Sequence, residues 1–171
     1  MTFPLANTHF QIHSTALLEQ YQQHMSSFMH YAKQVTAEHE IEAIHELRVS
    51  IKNLRACLTL FELCSNGAFS KEAHFDLFAS LFKRAGRIRE TQINLVLVEK
   101  VDQIQAFRAY LEKQCAKHSQ NLAKELSRFD YPLLSELDET MTTAIQPVEA
   151  AYIGAMTEQF LRGKWSEAIE V

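Results

Sequence analysis

The sequence has little that would bend or cross-link it. Only four glycines and three prolines occur in 171 residues. So few chain breakers disfavour a sheet with many tight turns and favour long helices. Cys57, Cys64 and Cys115 are odd in number and lack C-x-x-C spacing. That argues against a disulfide framework or a structural zinc site, and reduced thiols are expected. No stretch approaches the roughly 18 apolar residues that span a bilayer. The opening MTFPLANTHFQIHS has neither a basic start nor an apolar run, so no signal peptide is expected. A cytoplasmic protein without membrane attachment is the expectation. Net positive charge is also lacking: the formal charge is −4, which argues against a general nucleic-acid coat.

What is present suits a single packed domain. Hydrophobic residues make up 47% of the chain and charged residues 22%, enough apolar material for a core and too little charge for disorder. The charge is unevenly spread. Residues 40–128 carry 14 Lys and Arg against 11 Asp and Glu, whereas residues 129–171 carry two against eight. The middle is mildly basic and the tail acidic.

Apolar periodicity predicts an all-α antiparallel bundle of about five to six helices. Residues 1–13 read as an N-terminal arm and 14–171 as one helical domain. A first helix is expected from Ser14 to Val35, with Leu17, Leu18, Tyr21, Met25, Phe28 and Tyr31 at three- and four-residue steps. A second, Glu40 to Cys64, carries the stripe Ile44, Leu47, Ile51, Leu54, Leu58 and Phe61, and SNG at 65–67 supplies its stop. A third starts near Ser70, with a bend allowed at Gly86, and INLVLVE is assigned to it despite its strand propensity. A fourth spans Asp102 to Phe129. Shorter helices follow at Leu133–Ile145 and Val148–Arg162.

The sharpest local feature is IHELRVSIKNLR, residues 44–55. His45, Arg48, Lys52 and Arg55 step by three, four and three, which places them within an arc of roughly 80° on a helix, beside the apolar stripe. Neighbours in such a row are about 5–6 Å apart, close to the repeat of an extended phosphate chain. Like charges on one face repel, and no Glu interrupts this row to relieve them. A second cluster, Lys83, Arg84, Arg87 and Arg89, follows in LFKRAGRIRE, and a third row in the next helix includes Lys113 and Lys117. A bundle that gathered the three rows into one cleft would hold a polyanion, with Arg forks matching phosphate oxygens and Lys supplying compact charge.

The pattern His-x-x-Arg-Val-x-x-Lys-x-x-Arg at 45–55, followed by Gly-x-x-Arg-Glu at 86–90, resembles the signature of the CHAD family, the histidine-containing α-helical domain. The resemblance implies a helical bundle that binds inorganic polyphosphate through basic residues, and an association with triphosphate-processing enzymes. Carried over by position, His45, Arg48, Lys52 and Arg55 match the first motif, Arg89 the second, and Lys83 a basic position before it. Lys113 and Lys117 match the following helix less closely. Glu90 replaces the family's Asp, and Asn53 stands where a second basic residue is usual. The chain is short for a family built from two helical halves. It resembles one half plus a short remainder, so a second copy in a homodimer could supply the missing flank.

Other chemistries fit less well. Glu42-x-x-His45 has di-iron spacing, but no second Glu-x-x-His occurs. Glu38-x-Glu40-x-Glu42 lacks the Lys of a tunnel triphosphatase strand. No Gly-rich phosphate loop is present. Phe61, Phe75, Phe78, Phe82 and Phe107 follow the apolar stripes and are expected in the core, not among the cations as base-stacking platforms. The expectation is therefore a non-catalytic binder of polyphosphate or a similar polyanion, without cofactor or metal. Protonation of His45 is expected to add charge to the site at acid pH. The alternative is a helical interaction module whose basic face docks an acidic partner or the chain's own acidic tail.

Overall fold

The computed structural model describes residues 14–38, 41–99, 101, 104–145, 148 and 150–169. The expected arm at 1–13 lies outside them. Among the described residues six helices follow in order: α1 (Ser14–Glu38), α2 (Ile41–Cys64), α3 (Lys71–Val98), α4 (Gln105–Leu126), α5 (Pro132–Ile145) and α6 (Ala150–Ile169). No strand occurs among the described residues.

Helix α2 is the axis of the bundle, packed by α1, α3, α5 and α6. Its sequence explains this. Ile44, Leu47, Ile51, Leu54, Leu58 and Phe61 are all essentially buried. Each contributes on the order of 2 kcal/mol by leaving water. Ala43, Ser50, Cys57 and Cys64 are buried on an adjoining flank. A helix apolar over so wide an arc must be surrounded. On α1 the matching stripe is Leu17, Tyr21, Met25, Phe28, Ala32 and Val35, while Leu18 and Tyr31 sit at its half-buried edge. Phe28 meets Phe78 of α3 and Phe129 beyond α4, with ring centroids 5.2 and 5.6 Å apart, and so joins three segments.

Helix α2 stops where SNG predicts. Asn66 and Gly67 have φ of 50° and 87°, a left-handed pair that only Gly and Asn adopt readily. The Ser65 hydroxyl accepts from the Phe69 amide at 3.1 Å, and Glu62 accepts from the Lys71 amide at 2.9 Å. These bonds fix the reversal into α3.

Helix α3 runs without interruption through Gly86 and through INLVLVE, so the strand-like segment is helical. Its buried residues Phe78, Leu81, Ala85, Ile88 and Gln92 keep one helical stripe across the glycine. The fourth helix begins at Gln105, later than expected, and Asp102 lies outside the described residues. Pro132 opens α5 at the first helical position, where its missing N–H has no bond to lose. The last helix extends to Ile169, past the expected Arg162.

Candidate functional site

The basic row of α2 lies along its junction with α3. Arg48 is half-buried and reaches across it. Its guanidinium carbon stands 4.3 Å from the centre of the Phe82 ring, and Nη1 donates to the Phe82 carbonyl at 3.4 Å. Arg55 repeats the arrangement seven residues on, 5.1 Å above the ring of Phe75. The two arginines are seven apart on α2 and the two phenylalanines seven apart on α3. Antiparallel packing therefore brings both pairs into register, two helical turns apart. A cation on an aromatic face gains about 0.5–2 kcal/mol, depending on exposure. The guanidiniums are held in place and still have unused N–H groups for an anion.

Gly86 completes the Arg48 position. A Cβ built there would lie 2.8 Å from Arg48 Nη1. The sequence left open a kink or a close approach at this glycine; the structure shows a close approach, by the Arg48 side chain.

The other cations fall into distinct places. Lys52 is exposed on α2 between the two arginines. His45 lies one turn N-terminal to Arg48, with Glu42 and Glu46 so near that the ligand atoms of the three lie within 4.8 Å of one another. The two carboxylates place negative charge at this end of the row. Arg89 is half-buried on α3, level with the His45 end of the row. Its Nη1 donates to Gln92 Oε1 at 3.4 Å. The amide nitrogen of Gln92, itself buried, has no partner among the described residues. Lys83 and Arg87 are exposed; Lys83 lies on the outer face of α3, about 100° from Phe82, and Arg87 lies further round, within about 20° of Ser80 on the side that meets α4.

Arg84 points the other way. It is ion-paired with Glu125 of α4, which also accepts from the Ser80 hydroxyl. These residues, with Lys124, Arg128 and Asp130, line an open cleft of about 490 Å³ between α3 and α4. Mixed charge makes that cleft a poorer polyanion seat than the α2–α3 junction.

The third row does not join the others. Lys113 and Lys117 are exposed on α4. The buried residues Leu111, Ser119, Leu122, Ala123 and Leu126 occupy the opposite side, roughly half a turn around the helix. Helix α4 packs on α3 and α1, so these two lysines face solvent away from α2. The expected gathering of all three rows into one cleft is corrected to a junction of two.

The aromatic expectation is also corrected. Phe61 and Phe78 are core residues, but Phe75 and Phe82 are only half-buried and support the guanidiniums, and Phe107 is 50% exposed. The matched seven-residue spacings of Arg48/Arg55 and Phe75/Phe82 are the sequence signal that identifies these two phenylalanines.

The thiols stand apart from this surface. Burial pushes Cys57 and Cys64 up to about 11, so their thiolate forms are scarce near neutral pH. The acidic tail forms α5 and α6. Among the described residues no ion pair joins it to the α2 row, and Glu158 pairs with Arg162 within α6.

A family model described as the CHAD domain matches residues 19–170. No curated protein and no solved structure matches the chain significantly.

Proposed function

The chain belongs to the CHAD domain family, and from that membership and the α2–α3 junction we propose that it binds inorganic polyphosphate or a similar phosphate polyanion without transforming it. The family is associated with polyphosphate and triphosphate binding. The observation that carries the reading is the pair of guanidiniums, Arg48 and Arg55, mounted on Phe82 and Phe75 with Lys52 between them. Arginines stacked on aromatic faces lose less side-chain freedom on binding than free ones, so more of the phosphate contact appears as affinity.

Successive phosphates would meet Arg55, Lys52 and Arg48 along α2, with Arg89 and His45 at one end and Lys83 on the outer face of α3 beside them, while Arg87 is turned toward the α4 side. Lys113 and Lys117 stand outside this path. The mechanism is charge neutralisation along a groove, and it makes binding strongly dependent on salt.

The test is titration calorimetry of long-chain polyphosphate into the full chain at several salt concentrations, with duplex DNA as competitor. Arg48→Ala/Lys52→Ala/Arg55→Ala is expected to lose at least tenfold in affinity and to show a shallower salt dependence. Lys113→Ala/Lys117→Ala is expected to change affinity less than threefold. Absence of binding at low salt, or equal losses in the two variants, would overturn the assignment.

A further inference from the structure

Helix α3, at 28 residues, is longer than α1 and α2, at 25 and 24. Arg48 against Phe82 and Arg55 against Phe75 fix the antiparallel register of α2 and α3. In that register Ile41, where α2 begins, lies level with the Arg89 to Ile93 turn of α3. Two residues separate Ile41 from the end of α1 at Glu38, so α1 and α2 finish at the same level. Helix α3 continues to Val98, and α4 returns from Gln105. Arg84 with Glu125 and Arg108 with Glu99 set the α3–α4 register, so Tyr110 stands level with Leu97.

The projecting tip is apolar. Ile93, Val96, Leu97, Val101, Phe107 and Tyr110 are 47, 57, 60, 53, 50 and 55% exposed. The Phe107 and Tyr110 rings stack on each other, with centroids 6.3 Å apart. These six make up most of the exposed large hydrophobics among the described residues. Together they present about 600 Å² per copy, at the upper end of the largest apolar patch usual on a monomer.

We infer that this tip is a homodimer interface, in which two α3–α4 hairpins meet about a two-fold axis and form a four-helix arrangement. The area fits the occupant. Two such patches remove about 1,200 Å² from water, the lower bound for a specific, stable protein–protein interface. The rim charges fit it as well. Arg108 pairs with Glu99 and with Glu112 at its edge, so both signs border the patch. A two-fold axis can set such a rim against itself with opposite charges facing, as an isologous contact requires. A lipid surface would call for a rim of cations alone. The inference does not depend on the polyphosphate reading, although Ile93 of the tip lies one turn beyond Arg89 on α3.

Sedimentation velocity on the full chain from 1 to 100 µM tests it. At the upper concentrations the expected mass is twice the 19.7 kDa of one chain. The dimer should persist in 0.5 M NaCl, because apolar burial holds it. Leu97→Glu/Tyr110→Lys is expected to halve the mass while the far-ultraviolet circular dichroism stays that of the wild type. Val101→Lys, in the connection between the helices, is a second disruptive substitution should the first disturb the helices. A wild-type chain that remains monomeric at 100 µM would overturn the inference. So would dimers that salt dissociates, or dimers that both variants retain.

Discussion

Gly86 shows how one missing methyl group can position a charge elsewhere. It lies mid-helix, where glycine is about 0.5–1 kcal/mol worse than alanine, so a helix shaped by stability alone would not keep it. What the glycine admits is the Arg48 guanidinium, which a Cβ would crowd at 2.8 Å. The crowded atom is the far end of a flexible side chain, so Gly86→Ala should displace Arg48 from Phe82 without breaking the fold. The expected result is a melting temperature unchanged or slightly raised and polyphosphate affinity reduced about threefold to tenfold, read by circular dichroism and calorimetry. Unchanged affinity would show that the mounted position of Arg48 contributes nothing to binding. The cations of this site were legible in the sequence because helical spacing alone aligns them. Their supports were not. Phe75, Phe82 and Gly86 acquire their roles from the antiparallel register of α2 and α3, which no single-helix pattern contains.

At the scale of elements, the helices were legible where a long apolar stripe recurred at helical spacing, as on α1 and α2. The ends were read less well, since α4 starts at Gln105 and not at Asp102, and α6 outruns its expected end. Which helix packs on which was not readable either, and Lys113 and Lys117 show the consequence: a row can be sound on its own helix and still face away from the other rows. Contacts between elements distant in sequence decide this. Tyr21 of α1 is one of them. Its ring is buried edge-on to Phe61 at 6.2 Å, and its hydroxyl donates to Asp138 Oδ1 of α5 at 2.5 Å. Burial and the neighbouring carboxylate together hold the phenol well above its ordinary value, so it remains a donor throughout the stable pH range. Tyr21→Phe keeps the ring and removes this bond between α1 and α5. A hydrogen bond to a charged group contributes about 1.5–3 kcal/mol, less where water can reach the acceptor. Asp138 is on the exposed side of α5, so a loss of about 1–2 kcal/mol is expected from urea unfolding. A loss indistinguishable from zero would mean that water replaces the phenol at the carboxylate.

For the whole molecule, stability should depend on pH through two histidines outside the candidate site. His24 on α1 and His74 on α3 are both half-buried, and burial lowers each below the ordinary imidazole value of 6.5. His74 also packs edge-on against Phe69, 4.6 Å between ring centroids, where water is excluded from one face. The unfolded chain, with free imidazoles, takes up protons as the pH falls through about 6.5, while the folded chain resists until lower pH. Between those two values the unfolded state binds more protons, so stability falls as the solution is acidified. Above pH 7 neither state is protonated at these positions and the contribution is flat. The melting temperature should therefore drop between pH 7.5 and 5.5, and His24→Gln/His74→Gln should flatten that part of the curve. Carboxylates govern the steeper loss at lower pH and should be unaffected by the double substitution. Parallel curves in the double variant and the wild type would remove His24 and His74 from this role.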